Sequence, residues 1–390
     1  MLYEEKQIET IPVGPLGLIP LKSCEALGKK VDEWLVGWRH ERESEHKTTI
    51  AFAGYQRDSY IVGARTPRFG SGEAKGELLE SVRGDDLYLM VDVSNYSLTY
   101  SLCGIQNHMS PDDHFQDLKR IIAAASGKAR RITVVMPMLY EGRQHRRTAR
   151  ESLDCALALQ ELVRMGVSNI ITFDAHDARV QNAIPLNGFD DVQTTYQMIK
   201  ALTRAVPDIS FDKEDTIVIS PDEGGMQRCM YYSSVLEIDL GMFYKRRNYS
   251  VIVDGKNPIE AHEYLGRDVA GKDVIIVDDM ISSGESVLEI AKKLKAQGAK
   301  RIFIFTAFGL FCNGLKKFDE AYKNGEINRV FTTNLVYRMP GLFERAWYCE
   351  VDMSKYISLL IDTLNHDETI SNLLVPVTRI KNLLKKIGQR

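Results

Sequence analysis

The stretch of the sequence that most constrains the fold is residues 274–286, VIIVDDMISSGES. Its first four residues are apolar and β-branched, which favours a strand buried on both faces of a parallel sheet. Two acids, Asp278 and Asp279, follow the strand, and a loop of small polar residues then leads into an amphipathic pattern over residues 287–297 that predicts a helix. A strand, a loop and a helix in this order are typical of α/β proteins, whose ligands bind beyond the carboxyl ends of strands.

The loop within this stretch has two interpretations. Small residues before a helix N-terminus leave backbone N–H groups that suit a phosphate, and the two acids suit sugar hydroxyls or a phosphate-bound metal. Ser282 and Glu285 also match the S-x-x-E capping box that any helix can use. A capping box does not explain the two carboxylates at the strand end. The sequence has neither a P-loop motif nor a dinucleotide-binding glycine motif between a strand and a helix, so those folds are unsupported.

Composition places the chain among globular proteins long enough for two domains. Of its 390 residues, 44% are hydrophobic and 26% are charged. The net charge of −3 argues against a general nucleic-acid binder, and no apolar run approaches the length of a membrane span. The first ten residues lack the regions of a signal peptide, and none of the six cysteines forms a C-x-x-C pair. We therefore expect a cytoplasmic protein that binds neither nucleic acid nor a membrane.

The stretch 274–286 resembles the phosphoribosyl-pyrophosphate (PRPP) loop of phosphoribosyltransferases and of ribose-phosphate pyrophosphokinases, the PRPP synthetases. The resemblance implies that Asp278 and Asp279 hold the ribose hydroxyls of ribose 5-phosphate, directly or through a second Mg²⁺, and that the small residues hold its 5-phosphate. The residues assigned to that phosphate are Ser282, Ser283, Gly284, Glu285 and Ser286. The family loop reads D-T-x-G-T, so Ser282 removes an acid and Glu285 replaces a glycine-like position.

Two earlier segments resemble the nucleotide-binding loops of PRPP synthetases. The family's F-S-D-G-E loop, which reaches into a neighbouring subunit and holds adenine, corresponds to residues 69–73, FGSGE. The ATP-binding residues implied there are Phe69, Ser71, Gly72 and Glu73, with Ser71 in place of the family's acid. In the segment that resembles the family's A-R-Q-D-R-K loop, which contacts ATP, Arg143 and Gln144 match and His145 replaces an acid. The alternatives are a surface hairpin with glycine turns for the first segment and a solvated basic face for the second.

Two acidic motifs at predicted strand ends resemble the metal-binding positions of the family. Residues 174–177, DAHD, resemble D-L-H-A, whose histidine is a magnesium ligand, and this assigns the role to His176, with Asp177 as an added acid. Residues 220–225, SPDEGG, resemble S-P-D-x-G-G, whose acid also contacts the metal site, and this assigns the role to Asp222. The alternatives are a structural histidine and a plain glycine turn.

Lys245 and Arg247 are the candidate catalytic residues. Residues 245–247, KRR, resemble the end of the family's D-K-R-R, whose lysine and second arginine form the catalytic pair. They follow a predicted strand on alternate positions, so in an extended segment both would face one side. Residues 248–270 resemble the mobile catalytic flap of the family, although they are longer. A solvated basic turn is the alternative.

Five motifs in family order, over about residues 20–375, favour a PRPP synthetase over a simple phosphoribosyltransferase. The implied fold class is α/β, with two phosphoribosyltransferase-like domains, each a mostly parallel sheet flanked by helices. We predict an N-terminal arm and helix region at 1–48, an ATP-loop domain at 49–200, a PRPP-loop domain at 201–375 and a C-terminal helix at 376–390, whose basic side chains we expect to be solvated.

The reaction implied by the resemblance transfers the diphosphoryl group of ATP to the anomeric hydroxyl of ribose 5-phosphate, gives PRPP and AMP, and uses Mg²⁺. The resemblance also implies a homo-oligomer, a hexamer, because the adenine loop completes a neighbour's site. Two alternatives stay open. The substitutions at Ser71, His145 and Glu285 allow a catalytically weak regulatory subunit that assembles with the enzyme. A phosphoribosyltransferase would need a base pocket that the sequence does not reveal.

Overall fold

The computed structural model describes residues 10–41, 54–247 and 259–389, without the side chains of residues 245–247 and 259–262. The chain forms two compact units that are each discontinuous in sequence. The first unit is Met1–Gln193, Asn334–Tyr337 and Met353–Val375, and the second is Thr194–Thr333, Arg338–Asp352 and Pro376–Arg390. After residue 200 the chain returns twice to the first unit, at Asn334–Tyr337 and at Met353–Val375, so no single boundary in the sequence separates the two units. The predicted domain limits stay a prediction.

The first unit is built on a five-stranded parallel sheet with two small hairpins. Its strands are β1 (Leu16–Pro20), β2 (Ala64–Arg65), β3 (Glu77–Leu78), β4 (Asp86–Met90), β5 (Thr99–Leu102), β6 (Ile105–His108), β7 (Arg131–Val135), β8 (Asn169–Phe173) and β9 (Gly188–Val192). The sheet order is β1-β4-β7-β8-β9, and β2-β3 and β5-β6 are the hairpins. Apolar side chains cover both faces, and every residue of β4, which lies between β1 and β7, is buried, as expected for parallel strands between helices.

The second unit is built on a seven-stranded sheet. Its strands are β10 (Thr216–Ser220), β11 (Asp239–Arg247), β12 (Ile259–Leu265), β13 (Asp273–Ile281), β14 (Arg301–Gly309), β15 (Arg329–Thr333) and β16 (Tyr348–Val351). The order is β12-β11-β10-β13-β14-β15-β16, and all neighbours are parallel except β11 and β12. The chain winds outward from β10 on one side and then continues from β13 on the other. The winding therefore reverses between β10 and β13, which is the place where open α/β sheets bind ligands.

Helices flank both sheets. They are α1 (Glu25–Glu41), α2 (Pro111–Ala125), α3 (Asp154–Arg164), α4 (Thr195–Ala205), α5 (Met226–Leu236), α6 (Glu285–Ala296), α7 (Lys316–Lys323), α8 (Ser354–Asn365), α9 (Ser371–Leu374) and α10 (Val377–Lys386). Helices α1 to α3, α8 and α9 belong to the first unit, and the other five belong to the second. Within the described parts of the chain, no helix is both long enough and apolar enough to cross a membrane. The α/β class and the parallel sheets flanked by helices are confirmed.

Helix α8 belongs to the first unit because buried charges hold it there. Its Asp362 pairs with Arg39 of α1 at 3.1 Å, and the two side chains are 4% and 1% exposed. The Arg39 guanidinium also donates to the side-chain oxygen of Asn365 at 2.7 Å. A buried charge is tolerated only when it is paired and hydrogen-bonded, so this network holds α8 against α1.

Helix α10 is docked on the second unit. Its apolar face is buried, and the Arg379 guanidinium lies 4.3 Å from the centre of the Tyr196 ring on α4. Beyond the helix, the Gln389 side chain accepts a hydrogen bond from the backbone N–H of Phe211 at 2.8 Å and donates one to the carbonyl of Ile209 at 2.9 Å. The expectation that the basic side chains here are all solvated is therefore wrong for Arg379, whose guanidinium lies over an aromatic ring.

Candidate active site

The two acids of the 274–286 stretch lie inside β13, which continues to Ile281 because it pairs with β14 as far as Gly309. The prediction that the strand ends before the acids is therefore wrong. Asp279 is buried, and its backbone N–H donates to Asp278 Oδ1 at 2.8 Å. Burial, and then the adjacent Asp279 carboxylate, raise the pKa of the Asp278 carboxyl to about 8. A cationic partner would favour the charged form of Asp278 and so lower this pKa.

Gly284 is the residue on which the loop turns into α6. It is the N-cap of the helix, with a φ of +80° and no side-chain capping bond. The capping-box interpretation of Ser282 and Glu285 is therefore wrong, and the Ser282 hydroxyl instead donates to Cys312 Sγ at 3.6 Å. A Cβ at Gly284 would lie inside the contact distance of the Phe318 ring. Only glycine suits this position, because of both its backbone conformation and its neighbour.

The segment that follows β14 braces the loop from behind. Backbone N–H groups of Leu310 and Cys312 donate to the carbonyls of Ile281 and Ser282 at 2.9 and 2.8 Å. Farther along, the carboxylate of Glu285, the first residue of α6, is paired with Lys317 of α7. Ser283 and Ser286 complete the loop, and the Ser283 hydroxyl accepts from the Glu285 N–H at 3.4 Å. The loop is thus held in shape by its own unit, as preorganised phosphate binding requires.

Asp222 lies in the turn that follows β10. Its Oδ1 accepts hydrogen bonds from the N–H groups of Gly224 and Gly225 at 3.0 and 3.2 Å. Because β10 and β13 are neighbours in the sheet, the Asp222 turn and residues 282–286 follow adjacent strands at the point where the winding reverses. The second unit therefore brings together two of the predicted motifs.

The backbone of Lys245 and Arg247 lies inside β11, not after a strand as predicted. Lys245 is opposite His262 of β12 and Arg247 is opposite Ile259, with an irregularity between Arg246 and Arg247. Strand β11 lies next to β10 on the side away from β13. Residues 248–258 of the predicted flap lie outside the described residues, and β12 begins at Ile259.

His176 follows β8 in the first unit and is exposed. The ring of His145 lies 5.3 Å from it, and His145 Nε2 lies 3.4 Å from Asp177 Oδ2. Hydrogen bonds from Arg179, more than any other cause, lower the pKa of Asp177 to about 2. The two departures from the family pattern, His145 and Asp177, are therefore in contact. The sequence showed each departure separately and did not predict the contact between them. The signal that could have found it is that a histidine, which can carry a positive charge, replaces an acid in one motif while the other motif gains an acid.

Residues 69–73 form a turn at the surface, and their assignment to adenine stays a prediction. The Phe69 N–H donates to the Glu73 carbonyl at 2.7 Å, and the Ser71 hydroxyl donates to the Glu73 carboxylate at 2.8 Å. Gly72 has a φ of +88°, and a Cβ there would lie 2.6 Å from Leu102 Cδ1 of the β5-β6 hairpin. Phe69 is 54% exposed, so its ring is available to stack on a flat ligand.

The basic segment after β7 is likewise at the surface. The side-chain amide of Gln144 donates to the Ser152 carbonyl at 2.7 Å, which closes the segment into a loop. Four arginines of this segment are exposed: Arg143, Arg146, Arg147 and Arg150. None of the four forms an ion pair with a residue that the structure describes. Unpaired arginines on a loop are suited to a polyphosphate.

Two protein-family models match this chain, one in each half of the sequence. Residues 16–166 match the model of the N-terminal domain of ribose phosphate pyrophosphokinase, and residues 188–332 match that of the phosphoribosyl transferase domain. The ribose-phosphate pyrophosphokinase of Mycoplasma pneumoniae is 32% identical over 273 residues, which cover 69% of this chain and 74% of that protein. That of Vibrio cholerae is 28% identical over 313 residues, which cover 79% and 90% of the two chains.

A solved structure has the same fold. The phosphoribosylpyrophosphate synthetase from Mycobacterium smegmatis superposes with a TM-score of 0.69 at 19% identity and covers 90% of this chain and 99% of its own. At this identity the likeness concerns the fold.

Proposed function

We propose a mechanism of diphosphoryl transfer for this chain, which belongs to the ribose-phosphate pyrophosphokinase family. The enzyme transfers the diphosphoryl group of ATP to the anomeric hydroxyl of ribose 5-phosphate. The new bond joins the anomeric oxygen to the β-phosphorus, the bond between the α–β bridging oxygen and the β-phosphorus breaks, AMP leaves, and the hydroxyl proton is released. The observation that carries the proposal is the braced loop beside the Asp222 turn at the reversal of the second sheet.

The sugar phosphate binds to the loop at the end of β13. Backbone N–H groups and hydroxyls of residues 282–286 hold the 5-phosphate at the N-terminus of α6. Asp278 and Asp279 accept hydrogen bonds from ribose hydroxyls, which fixes the anomeric oxygen for attack. Because the loop is braced by its own unit, little ordering is needed when the sugar phosphate binds.

Lys245 and Arg247 stabilise the negative charge of the transferring group. Phosphoryl transfer demands positioning and charge neutralisation more than covalent chemistry, which cations on a strand next to β10 can supply. We assign the catalytic role to these two residues because they match the family motif and because their backbone lies in β11.

The candidate magnesium ligands are Asp222 in the second unit and His176 in the first. The described ranges contain no group of three or more His, Cys, Asp or Glu side chains that could hold a metal ion. The Asp222 carboxylate fits magnesium, which proteins usually hold through one or two carboxylates together with water and substrate phosphates. When bound, the ion supplies positive charge to the ATP phosphates.

The nucleotide binds to the exposed loops of the first unit. Phe69, with Ser71, Gly72 and Glu73, is assigned to adenine, and Arg143 with Gln144 to the phosphates. We also propose that the protein is a homo-oligomer, a hexamer by resemblance, in which the hairpin of one subunit completes the site of another. Its working location is proposed to be the cytoplasm.

The test is product analysis with purified protein, ATP, ribose 5-phosphate and Mg²⁺. We expect AMP and PRPP in equal amounts and none without a divalent metal. ADP as the nucleotide product would contradict diphosphoryl transfer. Activity only after addition of an active relative would instead identify a regulatory subunit. If light scattering shows a monomer and that monomer is fully active in AMP formation, the shared adenine site is contradicted.

A further inference from the structure

Glu285 is an unexpected residue for a loop that binds a phosphate. It is the first residue of α6, and its side chain is 59% exposed. A helix N-terminus attracts negative charge, so the carboxylate and a phosphate dianion would both be drawn to the first turn. The two like charges repel each other there, which would weaken binding of the sugar phosphate unless a cation compensates.

The structure brings such a cation to Glu285. Lys317 Nζ lies 2.5 Å from Glu285 Oε1, although the two residues are 32 positions apart in the chain. Lys317 is on α7, next to Phe318, whose buried ring lies against Gly284. The aromatic packing that shapes the loop therefore also places the lysine.

The position of α7 is set by a cluster of large rings. The Phe318 ring lies 5.1 Å from that of Phe311 and 5.4 Å from that of Trp347, and all three are almost fully buried. The Trp347 indole N–H donates to Asp319 Oδ1 at 2.8 Å, which ties α7 to the start of β16. Lys317 is therefore held beside the loop by a rigid support.

An ordinary surface ion pair is the competing explanation. Exposed pairs contribute little to stability, and the Lys317 side chain is 54% exposed. Stability is thus a poor reason for this pair, whereas a charge next to a bound anion affects binding directly. The two explanations predict different results for ribose 5-phosphate.

We propose that Lys317 is a positioning residue for the sugar phosphate: it neutralises Glu285 so that the loop accepts a phosphate dianion. The inference rests on the proposed function, because it assigns that phosphate to residues 282–286. It makes Glu285 and Lys317 one unit, in which the lysine is needed only because the acid is present.

The experiment is a double-mutant cycle with Lys317→Met, Glu285→Gln and the combination of both. We expect Lys317→Met to raise KM for ribose 5-phosphate about tenfold while kcat and KM for ATP change less than about twofold. In the Glu285→Gln background the same change should have almost no effect on KM. Added salt should narrow the difference between Lys317→Met and the unmodified protein.

The matched control is Lys316→Met, which removes the same charge one residue earlier on α7. Lys316 is 89% exposed and lies 4.0 Å from Glu320 of its own helix. We expect it to leave KM for ribose 5-phosphate unchanged, and melting curves should show all variants folded.

Two results would overturn the proposal. One is an equal KM in the Lys317→Met and Lys316→Met variants. The other is an effect of Lys317→Met that persists fully in the Glu285→Gln background, since the lysine would then act independently of the acid. If the unmodified protein forms no AMP, the proposed function fails, and calorimetric binding of ribose 5-phosphate by the same variants still decides the role of Lys317.

Discussion

The loop assigned to the sugar phosphate and the loops assigned to the nucleotide are supported in different ways. Residues 282–286 follow a buried strand, turn on Gly284 against the Phe318 ring and are tied to the segment after β14. Residues 69–73 and the arginine loop after β7 lie at the surface, with an exposed Phe69 and unpaired arginines within the described structure. The loop assigned to the sugar phosphate is thus already held in shape, whereas the loops assigned to the nucleotide are open to solvent.

The two regions have one feature in common, which is a contact between an acidic side chain and a basic one. In each, a residue that departs from the family pattern contacts a group of opposite charge preference: Glu285 contacts Lys317, and His145 contacts Asp177. Such pairs keep the local charge balanced where a phosphate or a metal is expected. The departures are therefore compatible with an active enzyme.

Loss of a transition-state cation should have the largest effect. We expect Lys245→Ala to lower kcat by at least about 10²-fold with a far smaller change in KM for ATP, as is typical of a lost preorganised donor. Arg247→Ala should behave similarly, and Arg246→Ala should be milder. Steady-state kinetics of AMP formation measure this, and near-normal kcat in the first two variants would show a solvated basic segment.

A side chain at Gly284, where the loop assigned to the sugar phosphate turns into α6, should distort that loop. Gly284→Val places a branched side chain at positive φ against Phe318, so we expect KM for ribose 5-phosphate to rise about tenfold or more, with a smaller effect on KM for ATP. Gly70→Val is the matched control in the nucleotide hairpin, because Gly70 has open space around it and no positive φ. Unchanged binding of ribose 5-phosphate in Gly284→Val would remove the loop from the site.

Removing an unpaired arginine should affect the nucleotide alone. We expect Arg143→Ala to raise KM for ATP about fivefold, to leave KM for ribose 5-phosphate unchanged and to shift Tm by less than about 1 °C, because the side chain is exposed. Arg83→Ala removes another exposed arginine of the first unit and serves as the control. An equal change in both KM values would contradict the division of roles.

The smallest effect concerns the pH dependence of stability without ligands. The pKa of the Asp278 carboxyl is raised from 3.8 to about 8, so between these values the folded state holds a proton that the unfolded state has released. The free energy of unfolding therefore falls as pH rises through that range. Asp278→Asn avoids this loss, and we expect its Tm advantage to grow from near zero at about pH 4 to a few degrees at about pH 8.

Thermal melts across this pH range test the expectation. Asp58→Asn, at an exposed aspartate, is the control. A Tm difference between Asp278→Asn and the unmodified protein that does not change with pH would show that the carboxyl titrates normally.

The sequence by itself determined the α/β class, the strand, loop and helix of residues 274–286 and the family, because apolar periodicity and short motifs are local properties. Only the tertiary structure decided that Gly284, rather than Ser282, caps α6, since the Phe318 ring that excludes a side chain there comes from α7. It also decided that α8 belongs to the first unit, through the Arg39–Asp362 pair 323 residues apart, and that Glu285 meets Lys317. Such pairs depend on how distant elements pack, and no pattern within a short stretch of sequence records that packing.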